Sequence, residues 1–319
     1  GVFMVKKLLC LCMAVFALVA CGCGSDKSDT SPNTAQAYAV ITDDTGKTVT
    51  LDKKPQRVVV LSSSLMNFAA DVGGELAGRP TIKSDDAKVP DSYQSVPEVG
   101  PVFNVSAEAV IALKPDLIIA SKSQHEALVP LFEQNGIKVV VLTSKTYDDV
   151  KRNMTIFGQI FDKKEIAEKH IEDMDKKIED IRHKFPGNHK KIAIIHATPS
   201  QVSVEMKNSI AGSCADILGL DNVAADGQVT SSGAQVPYSM EKLAQDNPDI
   251  IFITTMGKKE KVEQKMKTEF QNSPAWSVLE AVKNGRVYVL PENLFLLNPG
   301  LNYPESVEYM GRAVYGELH

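Results

Sequence analysis

The sequence predicts an α/β protein of two lobes of like design, built on buried parallel strands and joined by one long helix. The first observation is an internal repeat. Val105–Ser121 reads VSAEAVIALKPDLIIAS and residues 238–254 read YSMEKLAQDNPDIIFIT. A shift of 133 positions (239 less 106) places Ser106 on Ser239, Glu108 on Glu241, Pro115 on Pro248 and Asp116 on Asp249. In each copy a serine N-cap and a first-turn carboxylate favour a helix start. The proline then stops the helix by Lys114 or Asn247. The second observation is the run after each Pro-Asp, Leu117–Ala120 and Ile250–Ile253, which is apolar without a break. Such runs suit strands buried on both faces, as in parallel sheets. The third is the stretch Asp162–Phe185, where Ile166, Ile171, Met174, Ile178, Ile181 and Phe185 make one apolar helical face. Asp162 and Glu165 form a capping-box pattern at its start, and its length of roughly 35 Å matches the breadth of a small domain.

Taken in order, residues 4–21 read MVKKLLCLCMAVFALVAC, with a basic start and an apolar run from Leu8 to Ala20. The run is short for a membrane span and fits a signal peptide. Leu18-Val19-Ala20-Cys21 resembles the bacterial lipoprotein box, which predicts cleavage before Cys21 and its lipidation. Residues 1–20 are therefore read as signal peptide, and 21–37, polar and without apolar period, as a lipidated flexible tether. A first lobe is expected over 38–146, a connecting helical region over 147–188 and a second lobe over 189–319.

Tyr38–Leu51 alternates around Asp43-Asp44-Thr45-Gly46 and predicts a hairpin. Strands are expected at Val58–Leu61 and Leu76–Arg79, with Ser62–Ser64 capping the helix after the first. The first repeat copy follows, then a helix at Glu126–Asn135 closed by Gly136, and a strand at Val139–Leu142. In the second lobe, strands are expected at Lys191–His196 and Val202–Glu205, a helix at Ile210–Gly219 and a loop at Asp226–Gly233. After the second copy come a Lys/Glu-rich helix at Lys259–Phe270, a strand at Arg286–Leu290 and a last helix at Pro304–Tyr315.

Composition excludes several classes. With 43% hydrophobic and 24% charged residues, the 319-residue chain is globular and long enough for two cores. The net charge is −5, about −7 once Lys6 and Lys7 of the leader are set aside, which argues against nucleic acid as a partner. Four of the five cysteines, Cys10, Cys12, Cys21 and Cys23, lie at the N-terminus, so Cys214 has no partner for a disulfide in the body. No GxSxG, HExxH, CxxC or P-loop pattern occurs. A hydrolase would have to use Ser62–Ser64 with His125 or His196. A receptor for free zinc or manganese would need a His/Asp/Glu cluster in strand-end loops, and the sequence offers none.

The order of ITDDTGKTVTLDKKPQRVVVL, VGPVFNVSAEAVIALKPDLIIAS, the connecting helix and NGRVYVLPE, behind a lipoprotein box, resembles helical-backbone (class III) periplasmic binding proteins. These are the receptor subunits of ABC importers for iron–siderophore complexes, haem and cobalamin, and the resemblance covers about residues 38–317. It implies two Rossmann-like lobes joined by one long helix, with the ligand in the cleft between them. It also implies a monomeric, non-enzymatic receptor without a catalytic cofactor, lipid-anchored on the extracytoplasmic side. The partners it implies are an ABC permease dimer and its ATPase.

Residues 252–295 are most similar to haem-receptor lipoproteins of Gram-positive bacteria, which makes haem the leading ligand and siderophores or cobalamin the alternatives. In that group a first-lobe Met and a second-lobe His hold the iron. Here the His position falls on Met256 and the Met position on Phe103, so the sequence departs from the pattern at both. Met256 is the expected iron contact, with Met66 or His125, both just past strands, as its opposite. Phe103, Tyr238, Phe295 and Tyr303 are expected to form an apolar slot, and Arg79, Lys122 and Lys258 are the cations an anionic siderophore would need. The family also pairs a glutamate on each lobe with arginines of the permease. The repeat supplies Glu108 and Glu241 for that role, with Glu98 as a neighbouring acid.

Overall fold

The computed structural model describes residues 36–83, 88–224 and 235–318. The signal peptide, Cys21, nearly all of the tether and the Asp226–Gly233 loop lie outside the described residues. The first lobe begins with the antiparallel hairpin β1 (Ala39–Thr42) and β2 (Thr48–Leu51), turned at Gly46 with φ +83°. Asp43 closes it: one carboxylate oxygen accepts from the N–H groups of Thr45 (2.9 Å) and Lys47 (3.1 Å). The other accepts from Val141 at 3.1 Å, tying the hairpin to the main sheet.

That sheet contains β3 (Val58–Val60), followed by helix α1 (Ser63–Asp71), β4 (Arg79–Thr81), β5 (Glu98–Pro101), α2 (Ala107–Ala112) and β6 (Leu117–Ser121). Short helices α3 (Lys122–His125) and α4 (Val129–Gln134) lead to β7 (Lys138–Leu142). β3, β6 and β7 pair in parallel, as do β4 and β5. Backbone bonds from Ala77 N–H to Val58 O (2.7 Å) and Val60 N–H to Gly78 O (3.2 Å) join the two groups. The order is thus β5-β4-β3-β6-β7, and chain direction across the sheet reverses between β3 and β6. A crevice forms beyond the carboxyl ends of strands at such a switch point. Two expectations shift here. The second strand starts at Arg79 rather than Leu76, and the helix expected over Glu126–Asn135 is broken, because Pro130 can begin α4 but cannot sit inside a longer helix.

α5 (Tyr147–Phe161) then α6 (Lys164–Lys184) make the connection. The capping box belongs to α5, between Thr146 and Asp149. Asp162 does not cap the long helix; it ends α5 in the left-handed region, φ 58°, and Lys163 precedes α6 without a side-chain cap. The chain folds back because Gly158 lets α6 approach: a Cβ there would lie 2.7 Å from that of Ala167. α6 runs 21 residues, roughly 30 Å, and buries Ala167, Met174, Ile178 and Ile181, while Ile166 faces solvent. Near its start the His170 ring nitrogen Nε2 meets the Asp71 carbonyl of the first lobe at 3.0 Å. Just past its end Phe185 packs on Gly311 of the second lobe. One helix therefore bridges both lobes.

The second lobe comprises β8 (Lys191–Ala197), β9 (Val202–Glu205), α7 (Ile210–Ile217), β10 (Asp221–Asn222), β11 (Gln235–Pro237), α8 (Met240–Asp246) and β12 (Ile250–Thr255). It ends with α9 (Lys259–Met266), α10 (Pro274–Ser277), α11 (Glu280–Lys283), β13 (Val287–Val289), α12 (Glu292–Phe295) and α13 (Tyr303–Val314). β8, β12 and β13 are parallel, as is β10 beside β8, and β9 and β11 are added antiparallel at one edge.

The repeat has the same mechanics in both lobes. Ser106 and Ser239 accept from the N–H of Ala109 and Lys242, each at 3.2 Å. Lys114 and Asn247 both turn left-handed, at φ 49° and 40°, to end the helix one residue before the proline. Asp116 then accepts from the N–H of Gln56 and Arg57, and Asp249 from that of Lys191 (3.0 Å). The repeated aspartate therefore stitches the entry of β6 to that of β3 in the first lobe, and the entry of β12 to that of β8 in the second.

Candidate functional site

The carboxyl ends of β3, β6 and β7 face the end of β12 and the turn after α12 across a cavity of about 370 Å³. Ser62–Ser64 open α1 on one side, with Ser62 Oγ accepting from Leu65 N–H as N-cap (3.3 Å). Ser121, Ser123 and Gln124 follow β6, and Thr143–Lys145 follow β7. The second lobe contributes Met256 and Leu296–Asn298. Val102 and Phe103 project from the loop after β5 and also border a neighbouring cavity of about 340 Å³. Phe103 is 86% exposed and Met256 45%. Two large unpaired apolar side chains on one cavity mark a surface made to be covered.

Other expected contacts lie elsewhere. Met66 is wholly buried in the first lobe's core, so it fills space and does not face the cleft. His125 is buried too: Nδ1 accepts from Ser121 N–H (3.1 Å) and Nε2 donates to Val102 O (2.8 Å). With both nitrogens occupied it cannot serve as an axial ligand, but it pins the wall that carries Phe103. Tyr238 donates to Asp246 at 2.5 Å and packs on the second lobe's core. Phe295 is buried, edge-on to Tyr309. Tyr303 is buried as well and donates to Lys145 O (3.0 Å), so it positions the cleft's Thr143–Lys145 segment from below. None of the three aromatics forms the slot; helix starts and turns place large rings in a core as readily as in a cleft.

Two of the three expected cations are engaged by the protein and the third lies away from the cavity. Arg79 is buried, donating to Tyr93 O (2.8 Å) and pairing with Glu98 (3.1 Å), and Lys122 donates to Asp44 O (2.8 Å). Lys258 is exposed at the start of α9, apart from the cavity. Glu98 is held below the usual carboxylate range first by the Thr81 hydroxyl, with Arg79 adding to it. Glu108 and Glu241 stand exposed in the first turns of α2 and α8. Glu241 is lowered by its own backbone N–H and by Ser239. The hydrolase arrangement does not form, since Ser62 caps α1, His125 is fully bonded, and His196 is buried against Thr254. Among the described residues no cluster of three His, Cys, Asp or Glu suited to a metal ion occurs.

Sequence reasoning missed Leu296, Leu297 and Asn298. The Asn298-Pro299-Gly300 turn was the available signal: Asn298 Oδ1 accepts from Gly300 N–H at 2.8 Å, aiming the preceding leucines at the cavity. Its Nδ2, like Ser144 Oγ, is buried on the cavity without a protein partner.

Burial pushes the His125 imidazole below its ordinary value, against the opposing effect of the Val102 carbonyl. The folded pKa is thus below the unfolded one, and the neutral ring's contribution is complete above about pH 6.5. It is lost as pH falls from there through the folded value. Protonation also turns Nδ1 into a donor facing the Ser121 N–H. On acidification from pH 7 to 5, thermal unfolding of the unmodified protein should fall more steeply than that of His125→Asn. Parallel slopes would reject this role.

A family model described as "Periplasmic binding protein" matches residues 58–294. The "High-affinity heme uptake system protein IsdE" of Staphylococcus aureus is 26% identical over 316 residues, 98% of each chain. Among solved structures, an ABC transporter substrate-binding protein from Listeria monocytogenes superposes with TM-score 0.71 at 26% identity, over 83% of this chain and 100% of that one. S. aureus IsdE complexed with heme does so with TM-score 0.70 at 24% identity, over 81% and 98%. The match across the sheets, the bridging helix and the strand-end cleft settles the family: this chain belongs to the periplasmic binding proteins.

Proposed function

We propose that the protein is the extracytoplasmic receptor of an ABC importer and that its cargo is haem, held between Phe103 and Met256. The observation that carries this reading is the pair of uncovered apolar side chains on one inter-lobe cavity. Ring faces would cover Phe103, Leu296 and Leu297, and the Met256 thioether is a competent haem ligand. Ser144 and Asn298 border the same cavity and would lie near the ring's polar edge. An anionic siderophore is less well served, because Lys145 is the one cation on the main cavity among the described residues. The S. aureus relative, a haem uptake protein, supports the same reading.

Purified protein mixed with haemin should show a Soret band that shifts in Met256→Ala, with affinity reduced about three- to tenfold, as for loss of one weak ligand. Absence of any protein-induced Soret change would reject haem, and an unchanged spectrum in Met256→Ala would reject the iron contact. Lipidation at Cys21 would hold the receptor at the membrane surface through its tether. Cys21→Ala should then move the protein from the membrane fraction to the soluble one, and full retention in the membrane would refute the anchor.

A further inference from the structure

We infer that the cleft holds the cargo's metal from one side only, so that it selects the ring rather than the metal. This rests on the haem reading above. The donors that bind haem iron are imidazole, thioether, thiolate and phenolate. Among the described residues none but Met256 reaches the cavity with one. His125 is buried with both ring nitrogens engaged by the protein, and His196 is buried with Nδ1 on Thr254 and does not line the cavity. His170, His183 and His189 meet Asp71, Glu179 and Asp221 away from the cavity. The other seven described methionines are buried, and so is Cys214; no tyrosine lines the cavity. The internal segments 84–87 and 225–234, which lie outside the described residues, contain no His, Met, Cys or Tyr. Glu292 borders only the neighbouring cavity, where it accepts from Thr255 at 3.3 Å.

A thioether is neutral and soft and makes one weak bond to iron. The wall that carries Phe103 offers the opposite face a hydrocarbon ring and no imidazole, thioether, thiolate or phenolate. Most of the attraction is then between the porphyrin faces and Phe103, Leu296, Leu297 and Val102, and is the same whether or not the ring carries iron. Two consequences follow. A metal-free ring binds nearly as well as haem. The iron of bound haem also keeps one coordination position open to a small exogenous ligand.

The test titrates the full chain with haemin and with metal-free protoporphyrin IX, then adds imidazole to the haem-loaded protein. Dissociation constants within about tenfold of each other, and an imidazole-induced Soret shift with the ring retained, are expected. Met256→Ala should narrow the gap between the two rings further. Haemin binding about a hundredfold or more tighter than the metal-free ring would overturn the inference, as would a haem complex inert to imidazole. Either result leaves the haem reading standing. Failure of both rings to bind would remove that reading, and this one with it.

Discussion

Uptake by cells carrying the Glu108→Ala, Glu241→Ala double variant is expected to fall to the level of cells without the receptor, while ligand affinity and melting temperature stay within error of the unmodified protein. Both carboxylates stand exposed in the first turn of a helix, each two residues after its capping serine. Neither lines the cleft. The helix dipole alone would account for either, at some 0.3–1 kcal/mol. Their equivalence within the repeat is what dipole stabilisation does not explain. A receptor with one acid per lobe suits a permease with two like subunits. Exposed ion pairs are individually weak, so their effect lies in association rate and orientation. Losing both removes the alignment on which transfer depends. Retention of uptake would reject docking through these residues, and so would a fall in ligand affinity matching the fall in uptake.

The largest effect on stability is expected from Glu205→Ala. Glu205, His196 and Thr254 lie together inside the second lobe, each 4% exposed or less. The Thr254 hydroxyl donates to Glu205, which leaves its oxygen to accept from His196 Nδ1 at 2.9 Å. His196 Nδ1 also lies 3.4 Å from the Glu205 carboxylate. Removing the carboxylate strands a hydroxyl and an imidazole among apolar neighbours. Such losses cost about 2–4 kcal/mol, or a fall in Tm on the order of 5–15 °C for a body of this size. Glu205→Gln, which keeps the shape and an acceptor, should lose less than half as much. Thermal unfolding by circular dichroism measures both, and equal Tm values for Glu205→Ala and the unmodified protein would show the cluster to be energetically idle.

The architecture was legible where local chemistry and burial agreed. Ser106, Pro115 and Asp116 state helix start, helix stop and strand entry in one short stretch, and Ser239, Pro248 and Asp249 state them again. The repeated aspartate's bonds to Arg57 and Lys191 span about sixty residues and leave no local trace. α5 was harder to separate from the long helix, because its boundary depends on a left-handed Asp162 and on Gly158 admitting its neighbour. The cleft was legible only in part. Phe103 and Met256 stand at loop positions after strands, and both border the cavity. Met66 and His125 also come soon after strands, but within α1 and α3, and turn inward, a difference that no spacing records. Phe295 and Leu296 are adjacent, yet one enters the core and the other the cleft.

The bridge between the lobes carries a consequence for traffic at the membrane. α6 is continuous over 21 residues, contains neither glycine nor proline, and is held by packing at both ends. A strut of that kind keeps the separation of the two outer acids nearly constant whether the cleft is filled or empty. A transporter that recognises the receptor through those acids alone then meets empty and loaded molecules as equals. Empty receptors become competitors for the same landing site. If docking runs through those acids, import would be governed by the fraction of receptors carrying cargo, and adding receptor at fixed cargo would slow transport once the landing sites are full.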